Sequence, residues 1–238
     1  MTTWGGATPA NLVGQSDTHL CSPADAERLG ARVHRDVVTP FLQLQAAAQT
    51  AGFNLTILSG FRGFEQQLSI WNRKATGTLA VLDSDARALD IARLSEEELV
   101  FSILRWSALP GASRHHWGTD LDIYDMAAKP AGYEVELIPE EVDSGGMFAP
   151  LHEWLDARMT GGAAFGFFRP YDIDRNGVAP ERWHVSFAPV SSAYVRMLTP
   201  QVLRQTIQNA DMMLKNIVLE HLDAIFERFV INTSATFA

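Results

Sequence analysis

Three short stretches concentrate the side chains able to do chemistry. They are Ser113-Arg-His-His-Trp-Gly-Thr-Asp-Leu-Asp122, Glu181-Arg-Trp-His184, and Ser59-Gly-Phe-Arg62 followed by Gln67. Zinc takes imidazole nitrogens and carboxylate oxygens in near-tetrahedral geometry, and catalytic zinc sites use three protein ligands plus a water. Two histidines and one aspartate meet that requirement, provided folding joins a loop to a distant strand. A glutamate beside such a site is suited to general-base work. Arg62 is permanently charged and forked, which suits a carboxylate or a developing oxyanion, or a surface ion pair. Spacing alone leaves open which of His115 and His116 would ligate, and whether either is instead a surface or core histidine.

The elements that must position these residues are readable from periodicity and caps. Ser22-Pro23 opens a long helical pattern that ends at Gly52, with Pro40 expected to kink or divide it. Asn54 to Leu58 reads as a strand stopping at Ser59-Gly60, and a short helix is expected from about Gly63 to Lys74. Ser95 with Glu98 forms a capping box that opens a helix, and Pro110-Gly111 breaks it. Asp120 to Tyr124 alternates polar and apolar residues as a half-buried strand does, which places Asp120 and Asp122 on one face. There Asp120 is either a carboxylate that orients an imidazole or a solvated charge.

Tyr133–Ile138, Phe165–Arg169 and Trp183–Phe187 are further strand candidates, and Met147–Met159 is a helix candidate. Glu181 and His184 lie three residues apart, on opposite faces of a regular strand. Serving one metal therefore requires irregular backbone at Glu181, and Pro180 fits a strand that starts just afterwards. From Thr199-Pro200 the pattern is helical to about Val230, with a break near Asn216. Helices scattered among short strands, without βαβ alternation, predict an α+β fold. Residues 1–198 are expected to form the chemistry-bearing domain. Residues 199–238 are expected to form a helical extension packed on it or on a partner.

Composition excludes several classes. The 238 residues carry 47% hydrophobic and 20% charged side chains, as an ordinary globular protein does. The net charge of -9, from 19 basic and 28 acidic residues, lacks the basic footprint of a nucleic-acid binder. Cys21 is the single cysteine, so no intramolecular disulfide or thiolate cluster forms, and it reads as an idle thiol. No apolar run reaches the roughly 18 residues of a membrane span. The start, Met1-Thr-Thr-Trp-Gly-Gly, has neither a basic segment nor a signal-length apolar run. As written, a cytoplasmic location is expected, or a periplasmic one if a leader is missing. Asp172-x-Asp174-x-Asn176-Gly177 resembles the start of a calcium loop, but the closing position falls on Trp183, so a polar turn is expected.

Taken in order along the chain, the stretches resemble a known family. Ser113-x-His115-x-x-Gly118-x-Asp120-x-Asp122 is similar to the Ser-x-His-x-x-Gly-x-Ala-x-Asp signature of VanY-type D-alanyl-D-alanine carboxypeptidases. Glu181-x-Trp183-His184 resembles their Glu-x-Trp-His element. Ser59-Gly60-Phe61-Arg62 with Gln67 resembles their Ser-Gly-Tyr-Arg-Ser-Tyr-x-x-Gln segment. Trp154-Leu155 followed by Phe165-Gly166-Phe167 resembles their Trp-Leu…Tyr-Gly-Phe stretch. The resemblance covers about residues 30–190 and leaves both ends unexplained. Asp120 stands where the family has a small residue, Gly63 and Phe64 where it has Ser and Tyr, and Phe61 where it has Tyr. These differences fall on pocket shape and substrate preference.

The resemblance implies a small central antiparallel sheet carrying a zinc site, with His115, Asp122 and His184 as ligands. His116 would then be a pocket residue or stand behind the ligands. It implies Glu181 as the base that takes the proton of a zinc-activated water and delivers it to the leaving amine. Arg62 would act in catalysis and substrate binding, and Ser113 and Gln67 would contact substrate or else serve as turn or capping groups. Trp117 and Trp183 read as pocket wall or core. The implied substrate is a cell-wall peptide ending in a D-amino acid. A peptidoglycan endopeptidase and a non-catalytic zinc-binding descendant are the rival readings. Glu-x-Trp-His favours the carboxypeptidase, and the retained Glu181 argues against a non-catalytic protein.

Overall fold

The computed structural model describes residues 7–234. The helices are α1 (Pro9–Leu12), α2 (Pro23–Leu29), α3 (Val38–Thr50), α4 (Phe64–Ala75), α5 (Glu96–Trp106), α6 (Pro139–Val142), α7 (Ala149–Thr160), α8 (Ala188–Met197), α9 (Pro200–Gln208), α10 (Lys215–Glu220) and α11 (Leu222–Ile225). The strands are β1 (Leu55–Ser59), β2 (Asp120–Asp125), β3 (Phe167–Phe168) and β4 (His184–Phe187), antiparallel throughout in the order β1-β2-β4-β3. This is the expected α+β class.

β2 is the centre of the sheet and is buried along its whole length. Leu121 and Ile123 join Leu55, Ile57 and Val185 in the main apolar core, with Phe41 and Leu44 of α3 and Trp71 of α4. The alternate residues Asp120, Asp122 and Tyr124 therefore face the other side. Register puts Asp122 opposite both Ser59 on β1 and His184 on β4. A bulge between Ile57 and Ser59 resets β1, so its last residue falls into that row. A motif serine, aspartate and histidine, distant in sequence, thus line up across three strands.

Several expected elements differ. The long helix breaks at Gly30, a left-handed cap on α2, and resumes at Val38; Pro40 then sits in the first turn of α3, where a missing N–H costs nothing. Tyr133–Ile138 forms no strand. Its backbone is held by a side chain instead, because the buried Glu141 carboxylate accepts from the Glu136 and Leu137 N–H groups and the Tyr133 hydroxyl. Only Phe167–Phe168 of the Phe165–Arg169 candidate pairs, since Phe165 and Gly166 have left-handed backbone. The C-terminal break comes between Gln208 and Lys215, and Asn216 lies inside α10.

Leu203, Ile207, Val218, Leu222 and Ile225 are completely buried in the main core. The 209–214 break clasps the end of α4. Trp71 donates its indole N–H to Met213 O at 2.9 Å, and the Asn72 amide bonds both Asp211 O and Met213 N at 2.9 Å.

Candidate metal centre and substrate pocket

His115 sits in the turn Arg114–Trp117, which ends at Gly118 with φ +65°. A Cβ at Gly118 would lie 2.6 Å from His34 N, whose N–H donates to Gly118 O at 2.7 Å. The motif glycine is thus required twice, by its dihedral angle and by the strand-like approach of the His34 backbone.

Hydrogen bonds fix both imidazoles. His115 Nδ1 lies 2.8 Å from Gly60 O, and a carbonyl only accepts, so Nδ1 carries the proton and Nε2 is free. That Nε2 faces Asp122 Oδ2 at 3.4 Å. His184 uses the opposite nitrogens: Nε2 donates to Asp120 Oδ1 at 3.0 Å, leaving Nδ1 to face Asp122 Oδ1 at 3.4 Å and Glu181 Oε2 at 3.3 Å. One donor atom from each of His115, Asp122 and His184 lies within 4.8 Å of the others, and all three residues are buried.

Electrostatics favour a cation there. Burial alone would raise the Asp122 carboxyl, but the histidines beside it hold it well below the usual carboxylate range. Burial would likewise lower His184, but hydrogen bonds to Asp120, Asp122 and Glu181 hold it well above an ordinary imidazole. Three carboxylates crowd one ring, a charge arrangement that a divalent ion neutralises. Two imidazoles and a carboxylate, with His115 Nε2, His184 Nδ1 and an Asp122 oxygen turned inward, fit zinc, which would displace the second proton of His184.

Asp120 is a positioning group, not a solvated charge. It is completely buried and accepts from four donors: His184 and Arg114 on Oδ1, Thr119 and Ser186 on Oδ2, at 2.7–3.0 Å. The Arg114 guanidinium also bonds Ser186 and stacks over Trp117 at 4.9 Å. Sequence alone assigns Arg114 no role. Its only signal was a basic residue inside a motif that also carries an unusual aspartate.

Glu181 precedes β4 in a turn, the irregular backbone its spacing required. Its N–H donates to Tyr171 O at 2.9 Å and its carbonyl accepts from His184 N–H at 3.1 Å. The next residue anchors the turn, because Arg182 bonds Asp156 at 2.6 Å and Val142 O at 2.7 Å, while buried Arg169 also grips Asp156 at 2.7 Å. Tyr171 packs edge-on to the His184 ring at 5.1 Å, and burial pushes its hydroxyl up to about 12, so it stays protonated.

Arg62 reaches Ser59 Oγ at 3.3 Å and Gln67 Oε1 at 3.0 Å, with Nη2 4.0 Å from Asp122. Gln67 is completely buried and its amide donates to Ala108 O at 2.8 Å, so it holds Arg62 from behind and stands off the pocket wall. Ser113, in contrast, lines the pocket. His116 is turned away: its ring spans Gly111 N and Arg62 O, and burial pushes it down to about 3. Trp183 is buried with Tyr124, Val142 and Phe148 and also forms pocket wall, whereas Trp117 is core. The acidic turn is satisfied by arginines, Asp174 by Arg105 and Asp172 by Arg175. Cys21 is a free, half-buried thiol.

The centre opens into a pocket of about 270 Å³. Its far walls come from segments without motif residues: Glu136–Ile138 on the Glu141-held loop, Leu82 and Trp106, and Lys74 on α4. No local sequence pattern marks these as site residues.

Over residues 30–190 the chain matches the family VanY: D-alanyl-D-alanine carboxypeptidase. That is more than half of its length, and the chain belongs to this family of D-alanyl-D-alanine carboxypeptidases. A D-alanyl-D-alanine carboxypeptidase of Enterococcus faecalis is 28% identical over 183 residues, which are 75% of this chain and 55% of that protein. An uncharacterised protein of Haemophilus influenzae is 31% identical over 125 residues, 52% of this chain and 93% of that protein. The solved structure of VanYB in complex with D-alanine-D-alanine superposes with a TM-score of 0.51 at 21% identity, covering 83% of this chain and 92% of that one. At that identity the likeness is one of fold. No helix among the described residues is long and apolar enough to cross a membrane.

Proposed function

We propose that this chain is a zinc carboxypeptidase that removes the terminal D-amino acid from cell-wall peptides. His115 Nε2, Asp122 and His184 Nδ1 hold the metal, and Glu181 is the base. The observation that carries the reading is the Glu181 carboxylate, 3.3 Å from the inward Nδ1 of His184 and fixed there by its backbone. A structural metal site has no use for an acid in that place.

When bound, zinc polarises the scissile carbonyl and acidifies the attacking water. Glu181 takes the water proton and passes it to the leaving amine. Arg62, braced by Gln67 and Ser59, presents its guanidinium to the developing oxyanion or to a substrate carboxylate. Ser113 Oγ offers a hydrogen bond to the peptide. Gln67 contributes to binding through Arg62. The Enterococcus relative's name and the D-alanine-D-alanine bound to VanYB support this substrate class.

Release of free D-alanine from a peptide ending in D-Ala-D-Ala tests the activity, with cleavage inside intact wall as the endopeptidase outcome. Glu181→Gln is expected to bind zinc normally and to lose at least about 100-fold in kcat, the contribution of a positioned base. Unchanged kcat in that variant would remove Glu181 from the mechanism.

A further inference from the structure

Lys74 is a charged residue of the pocket that the proposed chemistry leaves unused. It lies seven residues after Gln67 on α4, which puts both on one helix face, about 10 Å apart along the axis. Gln67 is sealed behind Arg62, but Lys74 lines the open pocket with Glu181, Leu82 and Trp106. Among the described residues its ammonium makes no hydrogen bond and no ion pair within 4.0 Å. The neighbouring acid that acts on it is Glu181, too distant to pair, and Glu136 lines the same pocket without pairing with it. Burial outweighs that acid and holds the amine below its ordinary range, so the charge sits partly stripped of water without a partner.

Such a group is costly unless a ligand completes it. The helix end that carries it is not free to swing away, because Trp71 and Asn72 are clasped by Asp211 and Met213. A desolvated cation on a fixed helix end, in a pocket with a proposed peptidase centre, has the chemistry of a carboxylate receptor.

We propose that Lys74 is a specificity-determining residue that receives a carboxylate of the peptide substrate. The inference rests on the carboxypeptidase reading. Two carboxylates share that chemistry: the C-terminal one, and one on an acidic residue upstream of the scissile bond.

The test is steady-state kinetics of the zinc-loaded full chain and its Lys74→Met and Lys74→Arg variants on two pairs of probes. One pair is acetyl-Lys-D-Ala-D-Ala and its C-terminal amide. The other is acetyl-D-Glu-Lys-D-Ala-D-Ala and its D-Gln counterpart. Lys74→Met is expected to raise KM about tenfold on the peptide with the recognised carboxylate, and by less than about twofold on its neutral partner. Lys74→Arg is expected to recover most of the loss, with the pH profile of kcat unchanged. The pair that shows this coupling identifies which carboxylate is read. An equal loss on charged and neutral peptides would overturn the inference. So would a fall in kcat with a displaced acid limb, which would mean that Lys74 acts through Glu181. Turnover of the probes undiminished by Lys74→Met removes the inference alone, whereas no turnover by the parent removes the carboxypeptidase reading with it.

Discussion

At the scale of single residues, the two histidines of the centre are set by different acceptors, a backbone carbonyl for His115 and the Asp120 carboxylate for His184. A carboxylate makes its imidazole a stronger donor to a metal than a carbonyl does, and losing such a partner typically costs 10- to 100-fold in metal affinity. Asp120→Asn keeps the shape but no longer offers two ionised oxygens to four donors. It is expected to weaken zinc binding by about 10- to 100-fold in a chelator competition. Affinity within about twofold of the parent would show that the Asp120–His184 bond does not support the metal. The departure of this chain from the family signature is then a strengthened second layer around the ligand, balanced by Arg114.

Elements decide whether those residues meet. β2 and β4 bring Asp122 opposite His184 by register alone, while His115 depends on the turn closed by Gly118. Gly118→Ala forces a side chain into a left-handed position against the His34 backbone, which cannot yield as a flexible side chain would. The variant is expected to lose about 2–4 kcal/mol of stability in denaturant titration. A loss under about 0.5 kcal/mol would mean that the turn is held some other way.

The same elements show what the sequence made legible. The capping box at Ser95 and Glu98 and the alternation of Asp120–Tyr124 act locally, and both elements formed where expected. The family resemblance names His115, Asp122, Glu181 and His184 as one site, and their side chains do cluster, because each motif is itself a local turn or strand end. Tyr133–Ile138 was misread because its extended backbone is satisfied by one buried carboxylate, Glu141, and not by a neighbouring strand. Helix periodicity ran through Gly30 because hydrophobic spacing continues across a break that a single glycine imposes. Arg114 lies at an unspecified position of its motif, and Lys74 and the 136–138 wall carry no motif. Only tertiary packing brings Lys74 and the 136–138 wall to the pocket.

Across the whole molecule, burial of histidines couples stability to pH. His19 and His34 are held down at about 4 and His116 at about 3, in each case by burial. In the unfolded chain these rings protonate near 6.5. The unfolded state therefore binds more protons between those values. The stability they supply is whole above about pH 6.5 and is lost as the pH falls towards 4. His184, whose folded pKa is raised, works in the opposite sense: its contribution is present below about pH 6.5 and is lost as the pH rises through its folded value. His152 is also held well below the ordinary range by burial, so four rings act against one and leave a net loss on acidification. Metal-free protein is expected to show a lower urea midpoint at pH 5 than at pH 7. An equal or higher midpoint at pH 5 would contradict this account of the buried histidines.

The centre itself joins a loop, a strand and a turn from across the molecule, so its metal content reports on the fold and the chemistry together. Zinc measured in the purified parent and in His115→Ala, His184→Ala and His116→Asn tests the assignment most directly. About one zinc per chain is expected in the parent and in folded His116→Asn, with loss from the His115 and His184 variants. Full zinc in His115→Ala, with loss confined to the His116 variant, would contradict it.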